Sequence, residues 1–207
     1  MQMMVDKMYS MGTPPDYEPG PELLVSNMAA AAGQDSLSFA YDLLNEDDGH
    51  AFLMLPFFNY VGGSQDAIYE MLQHPATVSG LSDGGAHVRM ICDASIPTYV
   101  LTHWARDRRR GPKLTLEQAV KVQTHDTANV VGFHDRGVLA EGKRDDINII
   151  DIDALSLGFP HAESDLPAGG TRLLQTATGY VATIVNGVIP RRHGVDTGAR
   201  PGRLVRA

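Results

Sequence analysis

The sequence predicts an α/β protein: a run of βα units with parallel strands, followed by a smaller β-rich portion. Three observations predict it. Short apolar runs alternate with helical stretches up to about residue 134, as βα units require. Beyond that point the pattern becomes short β runs separated by turn signals. The chain has 207 residues, 43% of them hydrophobic and 20% charged, so it can bury a sizeable core as one large domain or two small ones.

The elements follow in order. Residues 12–21, "GTPPDYEPGP", carry four prolines and two glycines and form a loop. Glu22 to about Asn45 has helical composition, split near Gly33. Ser36 is the expected cap of the second piece, whose Leu37, Ala40, Tyr41 and Leu44 share one helix face. "AFLMLPFFNYV", 51–61, suits a strand buried on both faces, with Pro56 confining it to an edge or a break. "SQDAIYEMLQH", 64–74, reads as an amphipathic helix capped by Ser64, and "ATVSGLSD", 76–83, as the next strand. Residues 97–110 form a helix with Pro97 in its first turn and arginines near its end, where the helix dipole favours cations. Thr115 and Gln118 make a capping box opening a helix to about Val131. After a boundary near His134–Gly137 come three β stretches, with Val185-Asn186-Gly187 as a hairpin turn. The expected division is therefore 1–134 and 135–207.

Charge and composition exclude several functions. A formal net charge of -8 argues against nucleic acid or an anionic membrane as the main partner. The stretch "RDRRRGPK", 106–113, then reads as a solvated helix end. The single cysteine, Cys92, permits no intrachain disulfide and suits a reducing compartment. No apolar run reaches membrane-spanning length, and the first twenty residues lack the apolar segment of a signal peptide, so the expected location is cytoplasmic. Five methionines in the first eleven residues, followed by a Pro/Gly-rich loop, resemble the interior of a longer protein more than a natural domain start.

Motif chemistry narrows the field further. The eight histidines form no H-x-H or H-E-x-x-H pair, and none stands at zinc-like spacing from Cys92. No G-x-S-x-G and no phosphate-binding glycine loop is present. Asp83 is the distinctive residue. It ends the 76–83 stretch, which in a parallel βα arrangement is where active-site carboxylates stand, and Gly84-Gly85 would let backbone approach a ligand. Such a carboxylate can bind a metal or accept a proton; by spacing alone an ordinary Asx turn remains open.

"LSDGGAH", "ICDASIPTYVLTHWARDRRRG", "RGVLAEGKRDDINIIDID", "DLPAGGTRLLQTATGYVATIVNG" and "PGRLVRA" occur in this order. Together they resemble the C-terminal half of an N-acyl-D-amino-acid deacylase, in the amidohydrolase superfamily. The resemblance implies a (β/α)8 barrel, here its C-terminal part with 76–83 as the last barrel strand, followed by part of a small β-sandwich. It implies divalent metal, usually zinc, and hydrolysis of the amide of N-acylated D-amino acids. On that pattern Asp83 is the general base and a possible metal ligand. Beside it, His87 would touch substrate or orient Asp83, and Arg89, which matches no position of the family pattern, could pair with the substrate carboxylate because a guanidinium fits that group. Ala86 stands where the family commonly has proline.

The family's H-x-H pair and mid-barrel histidines are missing from this chain. A whole barrel takes roughly 250 residues, and one aspartate cannot grip zinc, which takes three or four protein ligands. The expectation is a C-terminal fragment inactive alone, with the missing N-terminal half as its partner. Two alternatives stay open: a non-catalytic half or remnant, and a cyclic-amide hydrolase of the hydantoinase kind.

Overall fold

The computed structural model describes residues 2–60, 62–80, 82–144 and 146–205. It is mixed α/β and divides into two compact units. One comprises Met1–Ile68 with Phe159–His161, the other Tyr69–Gly158 with Ala162–Ala207. None of the described helices is long and apolar enough to cross a membrane.

The first unit contains α1 (Gln2–Val5), β1 (Tyr9–Ser10), α2 (Val25–Ala32), α3 (Ser36–Leu44) and β2 (Leu53–Met54). The helical composition of 22–45 breaks at Gly33, as expected. Gly33 closes α2 at φ 70°, a left-handed conformation that glycine adopts without steric cost. The cap of α3 lies one residue earlier than expected: Asp35, not Ser36, accepts the Leu37 and Ser38 amides at 3.1 and 3.0 Å. Val5, Val25, Ala40 and Leu43 form the core, with Met8, Met28, Phe39 and Leu53 against it. β1 and β2 pair antiparallel, Tyr9 opposite Met54. The apolar run 51–61 yields only this two-residue strand. Past Pro56 the chain turns outward, leaving Phe57 and Phe58 74% and 79% exposed, and Val61 lies outside the described residues. Buried Glu18 is held by the Gln65 amide, which donates to its Oε1 at 2.9 Å.

The division falls within α4 (Asp66–Gln73), the helix expected at 64–74, where Ser64 Oγ accepts the Asp66 amide at 3.1 Å. In the second unit, α5 (Ile96–Tyr99) runs directly into a π-helical stretch, Val100–Asp107. α6 (Leu116–Gln123) opens on the expected capping box: Thr115 Oγ1 accepts the Gln118 amide at 3.2 Å, and Gln118 Oε1 accepts the Thr115 amide at 2.9 Å. The helix ends sooner than expected, at Thr124, whose φ of -121° and ψ of -79° separate it from α7 (His125–Val130). Trp104 is buried, with the Arg108 guanidinium 4.7 Å from its ring centre, and its carbonyl accepts the Leu114 amide at 2.8 Å.

The β portion begins with β3 (Ile147–Ile150), β4 (Ser156–Leu157), β5 (His161–Leu166) and β6 (Gly170–Leu174). It continues with β7 (Ala177–Thr178), β8 (Tyr180–Val185), β9 (Val188–Arg192) and β10 (Val195–Asp196). The main sheet has the order β10-β9-β8-β3 and is antiparallel throughout. β8 and β9 are joined at Asn186 and Gly187, with φ values of 50° and 75°. Two positive φ values in succession are what a type I′ hairpin demands, and Asn-Gly tolerates both.

Three further features differ from the sequence expectation. Residues 76–80 and 82–83 form no strand, and Leu81 lies outside the described residues; instead Ser79 Oγ donates to the Val122 carbonyl at 2.6 Å. The compact units also do not part near His134–Gly137, because side chains tie the helical stretch to the β portion. Thr98 Oγ1 and Tyr180 Oη are hydrogen-bonded at 2.8 Å, Ser95 Oγ donates to Gln175 Oε1 at 2.5 Å, and Arg106 Nη2 donates to the Leu155 carbonyl at 2.8 Å. The parallel pairing expected of βα units is not among the strand registers of the described residues.

Candidate functional site

Asp83 opens an exposed loop, Asp83–Ile91, rather than capping a strand. The loop is nonetheless fastened. Val88 accepts the Leu173 amide at 2.7 Å, and the His87 carbonyl accepts the amides of Met90 and Ile91 at 2.8 and 3.0 Å. His87 has a φ of 50°, so it occupies the turn position that reverses the chain. Gly84 lies against the turn Asp93–Ser95: a Cβ placed on it would stand 3.1 Å from Ala94 Cβ. The small residues Gly84 and Ala94 thus let the two turns approach closely at this point.

That proximity has an electrostatic consequence. Asp93 holds its proton more tightly than an ordinary aspartate, first because protein packed around it removes hydration, and second because the Asp83 carboxylate repels its charge. Burial, and then the Asp93 charge, push the Cys92 thiol above its ordinary value. A raised thiol is a protonated thiol at neutral pH, so Cys92 is a poor nucleophile here. The sequence reading missed Asp93. Its only signal was a second aspartate ten residues on, and what joins the two is the Gly84–Ala94 approach, which spacing does not reveal.

The three sequence candidates, Asp83, His87 and Arg89, therefore share one loop, and all three are exposed. Two surface cavities of the second unit, of about 330 and 610 Å3, are lined by other residues. The arrangement offers two neighbouring carboxyl groups, an imidazole and a guanidinium: groups able to exchange protons and bind an anion. It does not suit a metal. Among the described residues no group of three or more His, Cys, Asp and Glu side chains could hold an ion, and zinc takes three or four protein ligands.

A protein-family model described as the amidohydrolase family matches residues 5–190 of this chain. No curated protein sequence matches it. Among solved structures, it is similar to an N-acyl-D-glutamate deacylase from Bordetella bronchiseptica, crystallised with zinc and a phosphonate inhibitor that mimics the tetrahedral intermediate. The match has 24% identity and a TM-score of 0.47, and covers 100% of this chain and 39% of that one. The chain thus spans about two fifths of that protein's length.

Proposed function

We propose that this chain, which belongs to the amidohydrolase family, contributes the proton-transfer residue and the C-terminal portion of a metal-dependent deacylase of N-acyl-D-amino acids. The observation that carries the reading is the match over residues 5–190 together with the motif Ser82-Asp83-Gly84-Gly85-Ala86-His87 inside it. The exposure of Asp83 is consistent with it, since a general base must reach water and substrate.

In this reading Asp83 accepts a proton from the attacking water and then donates it to the departing amide nitrogen, which leaves poorly unless protonated. Arg89 would pair with the substrate carboxylate, since a guanidinium fork matches that group. His87, with its backbone fixed by the turn, would position substrate beside Asp83. The metal that the family implies does not fit the residues present, so its ligands must come from elsewhere, and a complementary N-terminal half is the proposed source.

The test uses the 207-residue chain alone and co-expressed with the polypeptide encoded immediately upstream, measuring amine release from N-acetyl-D- and N-acetyl-L-amino acids and from a hydantoin. The complex should hydrolyse the D-substrates, and Asp83→Asn should lower its kcat by about 10²–10⁴, the usual share of general acid–base catalysis. Unchanged turnover in Asp83→Asn would remove Asp83 from the mechanism. Turnover and stoichiometric metal in the 207-residue chain alone would remove the need for a second half, and preferential hydrolysis of the hydantoin would replace the linear substrate.

A further inference from the structure

The β portion holds a separate feature that the proposed hydrolysis does not use. Between Val188 and Val205 the chain carries four arginines, Arg191, Arg192, Arg200 and Arg203, against one acid, Asp196, although its net charge is -8. Arg191 stands opposite Thr183 across the β8–β9 ladder and opposite Asp196 across the β9–β10 ladder. Cross-strand partners have neighbouring side chains, so Asp196 is the acid placed to neutralise Arg191.

Asp196 is taken by another cation. Arg200 grips it with both ends of its fork, Nη1 to Oδ1 at 2.9 Å and Nη2 to Oδ2 at 3.0 Å, and the Gly198 amide adds a third bond at 2.7 Å. Those bonds dominate the lowering of the Asp196 pKa, and the charge of Arg191 comes last among its causes. Arg191 itself donates only through Nε, to the Gly194 carbonyl at 2.9 Å, so its two Nη groups have no protein acceptor among the described residues. Arg191 lines the cavity of about 330 Å3, as do Thr176, Tyr180 and Thr183. Thr183 Oγ1 is committed to Asn148 at 2.8 Å and Tyr180 Oη to Thr98 at 2.8 Å, which fixes both side chains in the wall. The Thr176 hydroxyl has no such bond among the described residues.

We propose that this cavity is a binding site for a small oxyanion, a carboxylate or phosphate, held by the Arg191 Nη groups and the Thr176 hydroxyl. The chemistry is that of a guanidinium fork with an auxiliary hydroxyl donor, in a concavity large enough for a small organic acid or phosphate. Arg191 and Thr176 are both exposed, so the site is open to solvent; what sets it apart from an isolated surface arginine is the shared hollow, whose Tyr180 and Thr183 hydroxyls are already hydrogen-bonded.

The experiment titrates the 207-residue chain with sodium phosphate in one arm and sodium acetate in another, at constant ionic strength in chloride, following backbone amide shifts by NMR. Saturable shifts confined to residues around 175–194 are expected in at least one arm, and the arm with the tighter binding identifies phosphate or carboxylate. Arg191→Gln should weaken that binding at least about tenfold, the loss expected of a charge-assisted hydrogen-bond pair. Arg192→Gln, which removes the adjacent charge, should leave it within about threefold. Equal weakening by both variants would mean diffuse attraction to a basic surface and overturn the proposal, as would failure of either anion to saturate. If Arg191→Gln does not fold, Thr176→Val decides: unaltered affinity for both anions overturns the site.

Discussion

Gly179 offers the sharpest test of how the β portion is packed. It precedes β8 at a φ of +93°, and its carbonyl accepts the Asp151 amide at 2.9 Å. A Cβ at this position would lie 2.5 Å from Leu155 Cα, 2.7 Å from Leu155 N and 3.0 Å from the Ala154 carbonyl carbon. All three are backbone atoms, so no side-chain rotation relieves the clash, and Leu155 is fully buried. In Gly179→Ala the left-handed strain costs about 1–3 kcal/mol, and forcing a methyl against packed backbone adds about 1–3 kcal/mol. The expected loss is therefore about 2–6 kcal/mol, a large part of the stability of a small domain. Gly142→Ala is the control: its φ is +79° but no heavy atom lies within 4 Å, so only the strain of about 1–2 kcal/mol remains. Urea unfolding followed by the fluorescence of the single tryptophan, Trp104, reads the unit that contains both glycines. If Gly179→Ala costs no more than Gly142→Ala, the close approach of Gly179 to Leu155 is wrong.

Three further outcomes are expected. Thr115→Ala should destabilise by about 1 kcal/mol through loss of the α6 capping box, with Thr115→Ser nearly neutral; hydrogen exchange of the first-turn amides would show the fraying. Asp135 is bonded by Arg136 Nε at 2.9 Å and Arg144 Nε at 2.8 Å, and these bonds, that of Arg136 foremost, lower its pKa from 3.8 to about 2. Between those values the unfolded chain binds more protons than the folded one. The stability that Asp135 contributes is thus present above about pH 4 and lost as the pH falls toward 2, and Asp135→Asn should flatten that limb of an acid-unfolding curve. Cys92 should react with iodoacetamide at mildly alkaline pH more slowly than free cysteine, and Asp93→Asn should speed it; a rate matching free cysteine would contradict the burial that raises this thiol.

What the sequence made legible is what neighbouring residues decide. The capping box at Thr115–Gln118, the αL glycine at Gly33 and the Asn186-Gly187 turn each depend on two to four adjacent residues whose backbone preferences agree, and each stands where the pattern put it. The element type of 51–61 was misjudged for a related reason: apolar composition measures the incentive to be buried, not the presence of a surface to be buried against, and Phe57 and Phe58 find none. Strand partners and unit boundaries were less legible still. They rest on bonds such as Ser95 to Gln175 and Thr98 to Tyr180, eighty residues apart or more, which carry no local signature.

The candidate site combines both kinds of information. A local motif singles out Asp83 as a candidate, whereas nothing local marks Asp93, which neighbours Asp83 only where Gly84 and Ala94 let two turns approach. The link between the two turns is electrostatic as well as steric: the pKa of Asp93 is raised by burial first and by the Asp83 charge second. Gly84→Ala tests this link without touching a titratable group. The Cβ would stand 3.1 Å from Ala94 Cβ, a distance that a shift of a few tenths of an ångström relieves, so the chain should still fold. The two turns should then part slightly, and the titration midpoint of Asp93, followed by carboxyl NMR, should fall toward an ordinary aspartate. An unmoved Asp93 midpoint would show that the Asp83 charge is not what the Gly84 contact delivers.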